Sequence, residues 1–431
     1  MNNPFQVGSA VAPRALVGRG RELQRLAGGI LNGGQSAALV GEPRTGKTSL
    51  LRYIMADETR QELFGEGGGN IRFQLLDAQM LGAGFDPPGF WERCLSPLAE
   101  VVKQDEALHS AWRTCRLEKF DTFVLERLFA QLQASGWRLV LLLDEFDTVL
   151  HHPILNQSEF YGGLRSLASR YESLALVIAS RQSLSDLNRA TQEFSRMGSP
   201  YFNFLQEIDL GAFKEKEALA LLAQGEDYFT RQDIKYLRRV AGGHPFLLQA
   251  ASLALWEAYD EGENDTQARY REAGDYLVHQ AQPVLKDAWR LWTPEMQKVF
   301  TILALDNMPL LLGQRREYDL NALLDSLPGY APELRVLEAR GYICPDAQLP
   351  GGWGLQAEVM SWWLAEELLQ ALRQGDELGA WLQAQGWEGV LKRGEKEALV
   401  RAGKKIGDFL KGGVEVFIRT AAEGLGRGVT S

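Results

Sequence analysis

The stretch Gly41-Glu42-Pro43-Arg44-Thr45-Gly46-Lys47-Thr48 decides the fold of this chain. It has the spacing of a phosphate-binding loop, in which a glycine, four residues and a second glycine precede Lys-Thr. The apolar run Ala37 to Val40 before it predicts a buried strand, and residues Ser49 to Met55 after it predict a helix. A glycine loop between a strand and a helix is the context in which such a loop binds phosphate.

The chemistry of phosphate binding assigns a task to most positions of this loop. Gly41 and Gly46 allow the backbone to curl so that its N–H groups point at phosphate oxygens. Lys47 is expected to reach the β- and γ-phosphates of a nucleotide, and the Thr48 hydroxyl to bind Mg²⁺. The loop therefore predicts ATP or ADP as ligand with Mg²⁺ as cofactor. The other predicted nucleotide contacts in and beside the loop are Pro43, Arg44, Thr45 and Ser49.

A second motif, Leu139-Val140-Leu141-Leu142-Leu143-Asp144-Glu145-Phe146-Asp147, lies about 95 residues downstream. Its five apolar residues predict a strand buried on both faces of a parallel sheet, and carboxylates follow at the strand end. In a phosphate-loop ATPase the first of these acids holds Mg²⁺, and a following Glu can activate the attacking water. We therefore predict Asp144 as a magnesium ligand and Glu145 as the general base. The separation of the two motifs leaves room for an intervening strand.

Two arginines are further candidates for the site. Leu174 to Ser180 predicts another buried strand, and Arg181 follows at its carboxyl end, where open α/β sheets bind ligands. Arg181 is therefore a candidate sensor of the γ-phosphate. Phe202 to Leu210 predicts a fifth strand. Arg196 precedes it and is a further candidate catalytic residue. Hexameric phosphate-loop ATPases often carry an arginine at such a position that reaches a neighbouring subunit's nucleotide, and the sequence leaves open whether Arg196 acts in trans in this way.

Composition and charge limit the class of protein. With 431 residues, 45% of them apolar and 24% charged, the chain has the composition of a globular protein of two or three domains. Its net charge of -10 excludes a nucleic-acid-binding polycation. The three cysteines lie far apart and predict neither a zinc site nor a disulfide framework. Because neither a signal peptide nor an apolar stretch of about 20 residues is visible, we expect a cytoplasmic protein.

The predicted fold is α/β: a parallel-sheet domain of the phosphate-loop NTPase type with an extra strand and a catalytic Glu (ASCE, AAA+-like), followed by helical domains. Aromatic and apolar residues at helical spacing between residues 87 and 135 are predicted to be core: Trp112, Leu117, Phe120, Phe123, Leu128 and Leu132. The predicted boundaries are 1–14 for an N-terminal arm, 15–211 for the phosphate-loop domain, 212–285 for a helical lid, 286–372 for a winged-helix domain and 373–431 for a tail.

The tail is glycine-rich and amphipathic, and it leaves two interpretations open. It is either a helix packed on the body of the protein or an effector segment that binds a membrane surface or drives assembly. The predicted winged-helix region is acidic, with six basic and eleven acidic residues between 290 and 369. Because phosphate contacts dominate affinity for DNA, this balance disfavours a duplex as its partner.

Together these motifs resemble the signal-transducing ATPases with numerous domains, known as the STAND class, and their archaeal-type ATPase relatives. Val17-Gly18-Arg19 is similar to the box whose backbone contacts adenine in that class, and Ser180-Arg181 to its sensor motif. Gly243-His244-Pro245 is similar to the Gly-x-Pro motif of the lid, whose proline, here Pro245, packs on the base. The resemblance covers residues 15–369. It does not extend to a C-terminal repeat array, which many members carry.

The resemblance implies a regulatory switch. ADP would hold the lid and winged helix closed, and ATP or an unknown protein partner would favour an open form that self-associates, with slow hydrolysis as the reset. The alternative is a DNA-associated AAA+-type ATPase, such as an origin-recognition or transposition regulator, which shares the same order of motifs. A metabolic kinase is disfavoured because no acceptor site is evident.

Overall fold

The computed structural model describes residues 2–194, 199–373, 381–383, 385–409 and 413–424. Their contacts divide the chain into two units. The first, which we call the sheet unit, comprises Ala10–Glu42 and Gly46–Leu210. The second, the helical unit, comprises Met1–Ser9, Pro43–Thr45 and Gly211–Ser431.

The sheet unit is built on five parallel strands. They are Ala37–Val40 (β1), Ile71–Asp77 (β2), Arg138–Asp144 (β3), Leu174–Ser180 (β4) and Gln206–Asp209 (β5). Their order in the sheet is β2-β3-β4-β1-β5. Strand β2 is the strand that the separation of the two motifs predicted between them in sequence, and the α/β fold class is confirmed. In the sheet, β4 lies between β1 and β3.

Helices cover both faces of this sheet. They are Gly20–Leu31 (α1), Lys47–Met55 (α2), Asp57–Phe64 (α3), Pro87–Cys94 (α4), Glu106–Leu117 (α5), Thr122–Ala134 (α6), Ser158–Arg170 (α7) and Leu184–Ala190 (α8). Because strand side chains alternate between faces, Val140 and Leu142 of β3 pack in the cluster formed with α1 to α3. Leu141 and Leu143 pack in the opposite cluster, with α4 to α7. Both faces of β3 are therefore buried, as its apolar run predicted.

The prediction that Leu117 and Phe123 belong to the core was wrong. Their side chains are 76% and 75% exposed. Leu117 ends α5 and Phe123 is the second residue of α6, so both lie at the tip of a helical hairpin. Lys119 and Phe120 have positive φ angles of 50° and 59° and reverse the chain there. The reversal turns Phe120 inward, and this residue is 9% exposed.

The helical unit consists mainly of packed helices. They are Glu215–Leu222 (α9), Arg231–Ala241 (α10), Pro245–Asp260 (α11), Thr266–Leu291 (α12), Pro294–Leu311 (α13), Asn321–Leu324 (α14), Ala331–Ala339 (α15) and Glu358–Arg373 (α16). An antiparallel pair, Ile343–Pro345 (β6) and Trp353–Leu355 (β7), lies between α15 and α16. Three helices, two strands and a returning helix occur in the order that predicted a winged helix, and the domain assignment itself stays a prediction.

The N-terminal arm begins in the helical unit. The ring of Phe5 is buried and stacks on Phe229, with 5.4 Å between the ring centroids. Asn3 donates a hydrogen bond to the carbonyl oxygen of Leu253, and the Gln6 N–H donates to Gln249, both on α11. Asn3, Phe5 and Gln6 therefore hold the described start of the chain by specific contacts within this unit.

The described part of the C-terminal segment also packs within the helical unit. It contains the helices Arg393–Phe409 (α17) and Glu415–Gly424 (α18). Trp387, Phe417 and Ile418 are at most 2% exposed, and the ring of Phe417 stacks on Trp362. This burial is what the packed interpretation of the tail predicts. None of the helices within the described ranges has both the length and the apolar character needed to cross a membrane.

Candidate active site

The loop after β1 begins with a bond to the neighbouring strand β4. The Gly41 N–H donates a hydrogen bond of 3.2 Å to the carbonyl oxygen of Ser180, the last residue of β4. The loop ends at Gly46, whose φ of 96° is accessible mainly to glycine. The carbonyl of Gly46 then accepts the first hydrogen bond of α2, from the Leu50 N–H. A glycine is therefore required where the loop turns into the helix.

Lys47 lies buried beneath this loop, with 5% of its surface exposed. Its ammonium group donates to the carbonyl oxygens of Gly41 and Glu42, at 2.8 and 3.0 Å. Burial lowers the pKa of Lys47, whereas the nearby carboxylates of Glu145, Asp147 and Asp144 act in the opposite direction. The lysine is thus a cation held in place beside carboxylates at the end of β3.

Asp144 and Glu145 occupy the carboxyl end of β3. Asp144 is the last residue of the strand and is 4% exposed. Glu145 has a φ of 49°, in the left-handed region that non-glycine residues rarely adopt. Its N–H donates a 3.0 Å hydrogen bond to the Asp144 carboxylate. Because of this turn, the Asp144 carboxylate accepts the Glu145 N–H, whereas the Glu145 carboxylate contacts another residue, Arg181. The spacing of the residues in the sequence did not predict this geometry.

Arg181, at the carboxyl end of β4, forms an ion pair with Glu145. Its Nε and Nη2 atoms lie 3.1 and 2.9 Å from the same oxygen, Oε2, of Glu145. The Arg181 N–H donates to Asp147 Oδ1 at 3.0 Å. Because β3 and β4 are adjacent and parallel, their carboxyl ends meet at one edge of the sheet. The structure thereby brings Lys47, Asp144, Glu145 and Arg181 together.

The donor set at this edge fits magnesium bound with a nucleotide. Among the described residues no group of three or more His, Cys, Asp and Glu side chains could hold a metal ion. Mg²⁺ commonly takes one or two carboxylates, water and substrate phosphates, and it does not need a cage made only of protein ligands. The buried carboxylate of Asp144 and the half-buried Thr48 at the start of α2 are suited to that mode of binding.

The remaining predicted contacts of the sheet unit lie near the start of α1 and α2. Gly18 and Arg19 have positive φ angles of 76° and 63°, and Arg19 is the N-cap of α1. They follow Val17, so the predicted adenine-contacting box forms the turn into a helix. The Ser49 hydroxyl accepts a hydrogen bond from the Val11 N–H at 3.2 Å. Ser49 therefore anchors the segment that leads to this box.

Other predicted site residues belong to the helical unit. By their contacts Pro43, Arg44 and Thr45 group with it. Arg44 has a positive φ of 64°, donates to the carbonyl oxygen of Gly8 at 2.7 Å and lies over the ring of Phe246. Pro245 is the first residue of α11 and follows a chain reversal at Gly242, whose φ is 60°. Arg196 lies outside the described residues.

Two acidic residues at this edge had no predicted role. Asp147 accepts a hydrogen bond from the Arg181 N–H. It belongs to the motif that begins at Leu139, so its place three residues after the end of β3 could have identified it as a site residue. Asp77, the last residue of β2, is in register with Asp144 of β3. Only the register of the two strands reveals that neighbour, because 67 residues separate the pair in sequence.

A family model and several solved structures are similar to this chain. A family model described as an AAA-like domain matches residues 15–309. The solved structure of a Walker-type ATPase of Pyrococcus abyssi is similar to this chain, with a TM-score of 0.51 and 14% identity over 84% of this chain and 99% of that one. This likeness shows a shared fold.

Two other similar structures have lower TM-scores. The ORC2 protein of Aeropyrum pernix, in its ADPNP–ADP complexes, has a TM-score of 0.45 and 16% identity over 82% of this chain and 95% of that one. CDC6P of Pyrobaculum aerophilum has a TM-score of 0.36 and 15% identity over 81% and 94%. No match was found among curated protein sequences.

Proposed function

Because the chain belongs to the family of proteins with an AAA-like domain, we propose that it is a slow ATPase that acts as a regulatory switch. It binds ATP with Mg²⁺, hydrolyses it to ADP and phosphate, and changes its domain arrangement and self-association with the nucleotide. The family and the fold support the ATPase part. The switch, the signalling role and the unknown partner follow from the motif resemblance.

The observation that carries the proposal is the convergence of one lysine, two carboxylates and one arginine at the carboxyl edge of the sheet. Lys47 is buried beside the phosphate loop, and Glu145 is 2.9 Å from Arg181. Phosphoryl transfer needs cations around the phosphates and an oriented water molecule, and little other covalent chemistry from the protein. The four side chains supply those functions.

Each of these residues has a task in the proposed reaction. Lys47 neutralises the β- and γ-phosphates, and Thr48 and Asp144 would hold Mg²⁺, which supplies further positive charge to the phosphates. Glu145 takes a proton from the attacking water as the water oxygen bonds to the γ-phosphorus. The bond from this phosphorus to the bridging oxygen breaks, and ADP leaves with that electron pair.

The structurally similar protein of Pyrococcus abyssi is a Walker-type ATPase, which supports the same assignment. For the present chain, slow turnover is expected because a switch must keep each nucleotide state long enough to be detected by a partner. Magnesium-dependent release of phosphate from ATP by the purified protein tests the activity directly. The Lys47→Ala variant should lose nucleotide binding, and retained affinity in calorimetry would refute the site.

The switch is tested separately from the activity. Glu145→Gln should bind ATP and stall hydrolysis, because the amide cannot accept the proton from water. Light scattering of this variant with ATP and with ADP measures whether the triphosphate favours a larger assembly. An unchanged mass in both nucleotides would contradict the switch and leave the ATPase assignment intact.

A further inference from the structure

The C-terminal helix α18, Glu415–Gly424, has two different faces. Four apolar side chains, each at most 4% exposed, form its buried face: Phe417, Ile418, Ala421 and Ala422. Three charged side chains, spaced four residues apart, are exposed: Glu415, Arg419 and Glu423. Because residues three or four apart share one face of a helix, α18 is an amphipathic helix whose apolar face is covered.

The surface that covers this face, which we call the α18 seat, is formed by residues of α10, α12 and α16, namely Arg239, Gly274 and Trp362. The ring of Trp362 stacks on Phe417, with 6.4 Å between the ring centroids. A Cβ atom at Gly274 would lie 2.8 Å from the Ile418 side chain, so a glycine is needed to leave room for it. The Arg239 guanidinium donates a hydrogen bond to a backbone carbonyl oxygen of α18. The seat is therefore fitted to the residues of this particular helix.

Helix α17, which precedes α18, has an anchor of its own. The carboxylate of Glu395 on α17 lies 3.0 Å from the Lys298 ammonium group on α13, and both side chains are at most 5% exposed. Five residues, 410–414, separate α17 from α18 in the sequence, and Gly412 and Gly413 are among them. Because the two helices are anchored separately, α18 can leave its seat while α17 stays in place.

The seat does not satisfy every group that α18 covers. The indole N–H of Trp362 is fully buried and has no hydrogen-bond acceptor among the residues that the structure describes. The pKa of Asp275 on α12 is raised, first by burial and then by the negative charge of Glu415 at the start of α18. An unsatisfied buried donor and two like charges both oppose the docking of α18. The fit of the apolar side chains is thus partly offset, which favours displacement.

We propose that the α18 seat is an interaction site between copies of this chain, and that its second occupant is α18 of another copy. A second copy presents the same Phe417 and Ile418, so the intermolecular complex needs no contact that the single chain does not already form. Exchange of identical elements in this way is a low-cost route to a dimer, because each seat is filled again. The inference goes beyond the proposed function, since it concerns the helical unit alone and requires no nucleotide.

The covalent connection decides between the two occupants. A segment on a short linker has a local concentration of about 1 mM at its own seat, so the chain's own helix prevails at ordinary protein concentrations. An event that displaces α18 in two copies removes this advantage, because each copy then offers an open seat and a free helix. Displacement of α18 therefore converts a monomer into a chain that self-associates.

Two complementary variants of the full chain test the proposal. Gly274→Val closes the seat and leaves α18 unchanged, whereas Phe417→Asp leaves the seat unchanged and prevents α18 from docking, because a carboxylate would be buried against Trp362. Without nucleotide, each variant alone should be a monomer in light scattering. An equimolar mixture should contain a complex of two chains, in which α18 of the Gly274→Val chain fills the seat of the Phe417→Asp chain.

The control is a chain that carries both substitutions, mixed with Phe417→Asp, since neither chain then has a helix that can dock. A complex in this control would overturn the proposal, because the association would be nonspecific contact between apolar surfaces. The proposal is also overturned if the complementary mixture stays monomeric, or if Gly274→Val associates by itself, since α18 would then bind elsewhere. Gly274→Ala and Ile418→Ser form a milder pair for the same measurement if circular dichroism shows that either variant is unfolded.

Discussion

At the scale of the residue, Lys47 shows how the site opposes stability. Its ammonium group is buried and donates hydrogen bonds to two loop carbonyls, and burial lowers its pKa despite the neighbouring carboxylates. A Lys whose pKa is lower in the folded chain destabilises the fold wherever it is charged. The full destabilisation is present when the pH is below the pKa of Lys47 in the folded chain. It disappears as the pH rises above 10.5, the pKa of lysine in the unfolded chain.

Lys47→Met should therefore increase the free energy of unfolding at neutral pH. The gain should shrink as the pH approaches the ordinary pKa of lysine, because the wild-type side chain then becomes neutral. Urea denaturation at several pH values measures it. Lys216→Met, at an exposed position of α9, is the matched control. A variant less stable than wild type at neutral pH would show that the hydrogen bonds of Lys47 outweigh its burial.

At the scale of the element, the beginning of α16 carries a second buried charge. Glu358, its first residue, is 8% exposed, and burial raises its pKa to about 7. The Arg239 guanidinium, 3.3 Å away, acts against that increase. A carboxyl with a raised pKa does not reduce the free energy of unfolding at a pH where it is protonated in both the folded and the unfolded chain. The loss of stability grows as the pH rises from the ordinary pKa of a glutamate, 4.5, to about 7.

Glu358→Gln should remove this loss of stability. We expect the wild type and the variant to be similar near pH 4.5, and the variant to be more stable above pH 7 by about 1–3 kcal/mol. Thermal unfolding across this pH range is the measurement, and Glu366→Gln, on the same helix, is the control. Parallel pH profiles for wild type and Glu358→Gln would contradict the assignment.

The hairpin of α5 and α6 provides another test at this scale. Phe123→Ser should change the free energy of unfolding by less than about 0.5 kcal/mol, because the side chain is 75% exposed. Leu128→Ala, one and a half turns further along α6, removes a side chain with no exposed surface and should cost about 2–5 kcal/mol. Similar losses for both variants would mean that Phe123 is buried in solution, as periodicity had predicted.

The hairpin also shows where sequence reasoning stops. The phosphate loop, β3 and β4 could be predicted because local patterns define them, namely glycine spacing and unbroken apolar runs that end in polar residues. Phe123 has the same helical spacing as buried neighbours, and only the chain reversal at Lys119 and Phe120 decides which side chains face outward. The Arg181–Glu145 pair likewise depends on strand order and on the left-handed turn at Glu145.

At the scale of the whole molecule, a buried ion pair joins residues that are far apart in the chain. Lys298 on α13 lies 3.0 Å from Glu395 on α17, and both side chains are at most 5% exposed. The Tyr330 hydroxyl and the Val390 carbonyl oxygen complete the partners of the ammonium group. This ion pair, which is shielded from water, therefore holds the C-terminal segment against the rest of the helical unit.

Glu395→Gln should destabilise the helical unit by about 3–5 kcal/mol, because it leaves the Lys298 ammonium buried without its counter-charge. The double variant Lys298→Met, Glu395→Gln should lose less free energy of unfolding than Glu395→Gln alone, because no buried charge without a partner remains. Chemical denaturation of the wild type, both single variants and the double variant measures the difference. Additive losses would show that the two residues act independently.

The contact between α12 and α18 allows the C-terminal helix to be displaced without deleting it. A Cβ atom on Gly274 would come within 2.8 Å of the Ile418 side chain and 3.1 Å of the Tyr236 hydroxyl, closer than packed atoms tolerate. Arg239 also donates a hydrogen bond to the carbonyl oxygen of Ala421, so α18 has both an apolar and a polar anchor. Gly274→Val should therefore expel α18 and expose Phe417 and Ile418 to water.

We expect Gly274→Val to lower the free energy of unfolding by about 2–4 kcal/mol and to make the segment after residue 409 sensitive to limited proteolysis. Ser252→Ala, a fully buried change on α11 that adds no volume, is the control for altering this unit's interior. Light scattering of the variant then tests whether the exposed face of α18 drives self-association. Unchanged stability and protease resistance would contradict the packed position of α18, because a valine side chain cannot share the space occupied by Ile418.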